Sequence, residues 1–286
     1  MRYFLAELGI EVNLKYDYAI RRMKDYKSEF GGTHIRINIE YDNNITLPEY
    51  ERQIPFQWRF YWLKFADGSY GAFRTLINSD YIIFFAKWNK DATEVTLKIA
   101  DVTPFGGVET HLREFSYIGE LLQILLPFHN RMVLHSSALS LDNCGVAFSA
   151  PSGTGKSTHA SLWKKNFASC IAINDDTPIL YDDGSGFNIY GSPWSGKTEI
   201  NANVHSPLKA IVCLSQDSEN HIEQISPKIS FPLLLKELKT TPLNEREENK
   251  ITMLSNIIST TNIYSMGCLP NDEAAILCKD KIWKEM

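Results

Sequence analysis

The sequence predicts an α/β protein: an α/β domain arranged around a phosphate-binding loop, preceded by a β-rich N-terminal domain. Three observations carry this expectation. Apolar and polar residues alternate with period two through roughly the first 110 positions, as half-buried strands do. Beyond them, apolar runs of strand length interleave with helix-period segments. Between one such strand and one such helix lies Ala150-Pro151-Ser152-Gly153-Thr154-Gly155-Lys156-Ser157-Thr158, a glycine-rich turn of the kind that cradles anions. The expected division is 1–112 for the β-rich domain and 113–286 for the α/β domain.

Taken in order, Ile35, Ile37 and Ile39 alternate with Arg36, Asn38 and Glu40, which gives a strand with one apolar and one polar face. Gly31-Gly32 and Tyr41-Asp42-Asn43-Asn44 supply turns on either side. Aromatics then crowd the chain, among them Phe60, Tyr61, Trp62, Phe65, Tyr70, Phe73, Phe84, Phe85 and Trp88, and Asp67-Gly68 divides them as a hairpin turn would. Such strands usually make core; the alternative is an aromatic surface that recognises an extended substrate peptide. From Glu114 to His129 the period changes. Phe115, Ile118, Leu121, Leu122 and Leu125 recur at three- and four-residue steps, so a helix is expected, ending near Pro127.

A strand from Arg131 to Leu141 then turns at Asp142-Asn143 into a second, Cys144 to Ser149. Further strands are expected at Cys170 to Ile173, Pro178 to Tyr181, Phe187 to Tyr190 and Leu208 to Leu214. Helices are expected around Phe231 to Leu238 and Ile251 to Ile258, then a short strand, Asn262 to Met266, and a last helix, Asp272 to Trp283.

Composition narrows the class. A chain of 286 residues, 44% hydrophobic and 22% charged, has the make-up of an ordinary globular protein. At that size it buries roughly 75% of its unfolded surface and needs neither disulfides nor a structural metal. Lys plus Arg number 29 against 34 Asp plus Glu, a net charge of -5, without the basic balance of a general nucleic-acid binder. The five cysteines, Cys144, Cys170, Cys213, Cys268 and Cys278, include no C-x-x-C pair and read as reduced thiols of a cytoplasmic protein. Met1 to Leu14 carries Glu7 and Glu11 where a secretory signal would be apolar. The longest apolar runs fall far short of the ~20 residues of a membrane span. Neither nucleic acid nor membrane is expected as a partner; the oligomeric state is left open, a homo-oligomer included.

The chemistry concentrates in the second half. Residues 150–158 fit G-x-x-x-x-G-K-[ST] except that Ala150 stands where the first glycine is usual. Gly153 and Gly155 let successive N–H groups turn inward, and the following helix adds its dipole. Ser152, Gly153, Thr154, Gly155, Lys156, Ser157 and Thr158 are therefore the candidate nucleotide-binding residues, with ATP and Mg2+ as the expected ligands. Lys156 would neutralise phosphate charge and the Ser157 hydroxyl would hold Mg2+. His135, one hairpin before the loop, and Asp175-Asp176, at the end of a strand, are the next candidates. Alone, a strand histidine is more often structural and an Asp pair often a turn; their order and spacing around the loop favour function.

His135-Ser136-Ser137-Ala138-Leu139-Ser140-Leu141, the loop Ser152 to Ser157 and Asn174-Asp175-Asp176 together resemble the catalytic core of HPr kinase/phosphorylase. More closely they resemble the shorter HPr-kinase-like serine kinases, some of which accompany ribosomal peptide modification. The same core is shared with ATP-dependent phosphoenolpyruvate carboxykinase. The resemblance runs from about Met132 to the C-terminus. It implies a phosphotransferase that moves the γ-phosphate of ATP to a serine hydroxyl of a peptide or protein. It also implies Asp175 as the base, His135 against the γ-phosphate, Lys156 and the loop amides on the phosphates, and Ser157 and Asp176 at Mg2+. Phe187 to Ser192 stands where HPr kinases carry a metal-associated glutamate and a following arginine-glycine; here those slots read Asn188 and Tyr190-Gly191.

Gly191 to Lys197 reads as a flexible loop, with Lys197 a candidate catalytic cation over the transferring phosphoryl group and Glu199 a spare carboxylate for the metal. The alternative reading, which the Asn188 departure favours, is a nucleotide-binding regulatory or interaction module without phosphoryl transfer. Carboxykinase chemistry lacks a matching His/Asp/Lys constellation in the N-terminal third.

Overall fold

The computed structural model describes residues 1–29, 31–56, 60–101, 109–196, 199–239 and 244–284. The chain is mixed α/β, and its contacts divide it into two compact units, one mainly Met1–Phe128, the other His129–Thr240 with Arg246–Met286.

The first unit runs β1 (Arg2–Leu5), β2 (Leu8–Val12), α1 (Asp17–Arg22), β3 (Ile35–Tyr41), β4 (Arg52–Phe56), β5 (Phe60–Lys64), β6 (Tyr70–Thr75), β7 (Ile82–Trp88), β8 (Glu94–Ile99) and α2 (Thr110–Leu125). Its eight strands lie in the order β1-β2-β3-β8-β7-β6-β5-β4. The alternation in β3 comes out as expected, with Ile35, Ile37 and Ile39 buried and Arg36, Asn38 and Glu40 exposed. The aromatic strands face inward: Phe60, Trp62, Phe73, Phe84 and Trp88 are all buried, and Trp62 meets Trp88 edge-on with ring centroids 5.3 Å apart. Helix α2 belongs to this unit. Its Glu114 is fully buried and accepts hydrogen bonds from the amides of Lys15 (2.7 Å) and Tyr16 (3.1 Å) and from the Tyr41 hydroxyl. Arg113 donates to the Ala100 carbonyl at 3.2 Å, and Glu120 pairs with Arg74 at 2.8 Å. The division therefore falls after this helix, at 128/129, and not at the expected 112/113, because α2 covers the first sheet.

The second unit runs β9 (Arg131–Leu134), β10 (Ser136–Leu141), β11 (Cys144–Ser149), α3 (Lys156–Asn166), β12 (Ile171–Asn174), β13 (Ile179–Asp182), β14 (Phe187–Tyr190), β15 (His205–Gln216), β16 (His221–Gln224), α4 (Pro227–Glu237), β17 (Leu238–Lys239), α5 (Asn244–Thr260), β18 (Asn262–Cys268) and α6 (Asp272–Lys284). The strand order is β12-β10-β11-β15-β14-β13-β9-β17, with β18 on β15 and β16 on β18. Alternate residues of the central strands enter two separate cores. Ala138, Ala147, Ile173 and Ile211 join Leu234 of α4 and Leu254 and Ile257 of α5. Leu139, Val146, Phe148 and Val212 join Trp163 of α3 and Ala275, Cys278 and Ile282 of α6. Covered on both faces, these strands read as continuous apolar runs. Among the described residues no helix is long and apolar enough to cross a membrane.

Candidate functional site

Strand direction assembles the site. β10 is antiparallel to both of its neighbours, β11 and β12, so its N-terminal end meets their C-terminal ends at one sheet edge. Ser136 stands opposite Ser149 and Ala138 opposite Asn174. The glycine loop after β11, His135 before β10 and Asp175-Asp176 after β12 thus leave the sheet on the same side. β11 and β12 are two strand spacings apart, about 10 Å.

The loop 150–155 joins β11 to α3. Gly153 and Gly155 have φ of 84° and 117°, and a Cβ at either would meet nothing within 4 Å. The requirement for glycine is therefore one of backbone conformation, not of space. Ala150, the departure from the motif, buries its methyl in the core beside Phe148 and Trp163, while its carbonyl accepts the Lys156 ammonium at 2.8 Å. That ammonium also reaches the Pro151 carbonyl at 3.4 Å, so a positive charge is held against the loop backbone. The first intrahelical bond is from His159 to Gly155, at 2.9 Å, which leaves the Lys156, Ser157 and Thr158 amides at the helix N-terminus outside the i to i−4 ladder.

His135 is the single residue between β9 and β10, where the chain passes from one part of the sheet to another. Ser149, the last residue before the loop, donates to its carbonyl at 3.2 Å. Its ring lies between two carboxylates: Nδ1 is 2.7 Å from Glu237 Oε2 and Nε2 is 3.3 Å from Asp176 Oδ1. Asp175 is 8% exposed, and its Oδ1 accepts the Gly196 amide at 2.6 Å. The Ser137 hydroxyl donates to the Asp175 carbonyl and the Ser136 amide to the Asp176 carbonyl, both at 3.2 Å, so the Asp pair is tied to β10 by main chain as well.

Asn174 organises what surrounds the pair. Its Oδ1 accepts the amides of Asp176 (2.9 Å) and Thr177 (2.7 Å), and its Nδ2 donates to the carbonyls of Ser192 (3.0 Å) and Trp194 (2.7 Å). Thr177 Oγ1 donates to the same Trp194 carbonyl at 2.6 Å, and Ser192 Oγ to the Thr177 carbonyl at 2.8 Å. The segment expected to be a flexible loop is thus pinned over Asp175 through residues 192–196. Lys197 lies outside the described residues. Asn188, which the resemblance singled out, lies within β14, and its Nδ2 donates to Asp183 Oδ2 at 3.1 Å, holding its own hairpin turn. Glu199 is exposed, at φ 52°, and donates its amide to the Gly196 carbonyl at 3.1 Å.

Burial sets two further groups near this edge. The Cys213 thiol, opposite Ser149 on β15, is pushed up to about 12, first by burial and then by the Glu237 charge, so it carries no competing negative charge. On α3, burial alone lowers His159 to about 4. Among the described residues no group of three or more His, Cys, Asp or Glu side chains is disposed to hold a metal by itself.

The sequence-derived candidates His135, Asp175, Asp176 and the loop leave the sheet at the same end, and of these His135 and Asp176 are in contact. Glu237 and Thr177 were not identified from sequence as parts of the site; Asn174 and Ser192 lay within the quoted segments but carried no role there. Asn174 had a local signal, since an Asx side chain ahead of a turn commonly binds the amides two residues on. Glu237, 102 positions from its partner, had none.

No family model and no curated protein matches the chain. Among solved structures, it is similar to the HPr(Ser) kinase/phosphatase from Coxiella burnetii at 12% sequence identity and a TM-score of 0.32, over 54% of this chain and 92% of that one. The likeness is a distant structural one.

Proposed function

We propose that this chain is an ATP-dependent phosphotransferase that moves the γ-phosphate to a serine hydroxyl of a peptide or protein. The observation that carries the reading is the convergence, at one sheet edge, of a glycine loop opening a helix with a strand-end carboxylate pair. Phosphoryl transfer asks a protein mainly for positioning and for charge aimed at the phosphates, and these groups supply both. The amides of residues 153–158 and the Lys156 ammonium bind and orient the phosphates. Asp175 accepts the proton of the incoming hydroxyl, its carboxylate aimed by the Gly196 amide. Mg2+ would be held by Ser157 and Asp176 together with phosphate oxygens, in keeping with an ion that takes one or two protein carboxylates and keeps its other ligands from water and substrate. Bound there, it would neutralise charge on the phosphates.

Incubation with labelled ATP and serine-containing peptides tests this. Asp175→Asn is expected to retain nucleotide affinity by calorimetry and to lose transfer; full transfer by that variant removes Asp175 as the base. One observation favours a second reading, a nucleotide-responsive interaction module: Asp175 is 8% exposed beneath Gly196. That reading predicts binding of magnesium nucleotide with no label transferred to any peptide.

A further inference from the structure

We propose that Glu237 is a positioning residue that acts on Asp176 through the imidazole of His135. The inference rests on the phosphotransferase reading for its catalytic consequence, but not for its geometry. Glu237 is the last residue of α4, and β17 begins at the next position, where Leu238 pairs with Leu134 of β9. The His135 amide donates to the Glu237 carbonyl at 2.9 Å, so backbone holds the two residues in register before their side chains meet. The side chains then meet at 2.7 Å, with His135 at 18% and Glu237 at 14% side-chain exposure. Asp176, at 31%, is the most open member.

Direction follows from burial and chemistry. The partner fixed by a strand ladder is Glu237; the partner nearest solvent, and so nearest any ligand, is Asp176. A carboxylate only accepts, and of the two contacts the one to Glu237, at 2.7 Å against 3.3 Å, is the shorter, which places the donated hydrogen on His135 Nδ1. Fixing that nitrogen fixes the ring plane, and the ring plane presents Nε2 to Asp176. His135 therefore serves as a strut between two carboxylates. Carboxylates that orient a metal-ligating histidine typically matter 10- to 100-fold, and Glu237 stands in a comparable relation to Asp176 one group further out.

The test uses the full chain. Ring nitrogen–proton spectra of the wild type are expected to show a slowly exchanging proton on His135 Nδ1. Glu237→Ala should abolish it, and Glu237→Gln, whose amide oxygen still accepts, should restore it. In turnover, Glu237→Ala should lower kcat by about 10- to 100-fold with KM for nucleotide within about twofold of wild type, and Glu237→Gln should recover most of the loss. A His135 ring spectrum unchanged in folded Glu237→Ala overturns the proposal, as does a loss of kcat that merely tracks loss of nucleotide binding. Should the alanine variant not fold, the wild-type spectrum decides: absence of the protected Nδ1 proton is fatal. If the wild type transfers no phosphate at all, the phosphotransferase reading fails while the ring spectra still judge the strut.

Discussion

Asn174 is 1% exposed and uses both ends of its amide at once, accepting from two backbone N–H groups and donating to two carbonyls. A buried amide so placed is hard to replace, because each orphaned partner costs about 1–3 kcal/mol. Asn174→Asp keeps the size and the acceptor but turns a second oxygen toward the Ser192 and Trp194 carbonyls. It should cost about 1–3 kcal/mol in urea unfolding at neutral pH, and a variant as stable as wild type would show that the two donated bonds hold nothing. At this scale the sequence was legible only where chemistry is local. The glycines, Lys156 and the Asp pair announce themselves by spacing, whereas the link from His135 to Glu237 spans 102 positions and is made by a two-residue strand, β17, that no periodicity marks. The contact from Asn188 to Asp183 is set in the same way by the register of the β13-β14 hairpin.

Most elements of the second unit lie where hydrophobic period puts them, because strands covered on both faces leave long apolar runs. The short strands β16 and β17 are exceptions, and a third is the strand expected from Arg131 to Leu141, which breaks at His135. No proline or glycine signals the break; it arises because β9 pairs with β13 while β10 pairs with β11 and β12, a nonlocal choice. In the first unit the opening hairpin β1-β2 was not anticipated, since its turn places Ala6 and Glu7, at φ 45° and 62°, where glycine or asparagine is the usual signal. The glycine loop between β11 and α3 makes the opposite case, where conformation and sequence agree. Gly155→Ala should destabilise the nucleotide-free protein by about 1–2 kcal/mol, because a φ of 117° is unfavourable for any residue with a Cβ although no neighbour obstructs one. Calorimetry should show weakened magnesium-nucleotide binding as the loop amides turn away. Unchanged melting and unchanged affinity together would mean that the loop relaxes freely to another conformation.

For the whole molecule, stability against pH has an identifiable contributor in α3. His159 is 3% exposed, its ring edge-on to Phe148 at 4.7 Å, and its Nε2 accepts the Trp163 indole N–H at 3.1 Å. The acceptor role leaves the hydrogen on Nδ1, which has no hydrogen-bond partner among the described residues. Burial therefore lowers the group from 6.5 to about 4, and the folded protein holds the ring neutral. The unfolded chain binds the proton as pH falls below 6.5 while the folded one does not. Stability from this group is thus complete above pH 6.5 and declines progressively from there to about 4, by roughly 3 kcal/mol at most. His159→Phe removes the titrating group and keeps a ring against Phe148 and Trp163. Urea unfolding at pH 7, 6 and 5 should give a wild-type stability that falls more steeply than that of the variant, whatever the variant's stability at pH 7. Parallel declines in the two proteins would assign the acid sensitivity to groups other than His159.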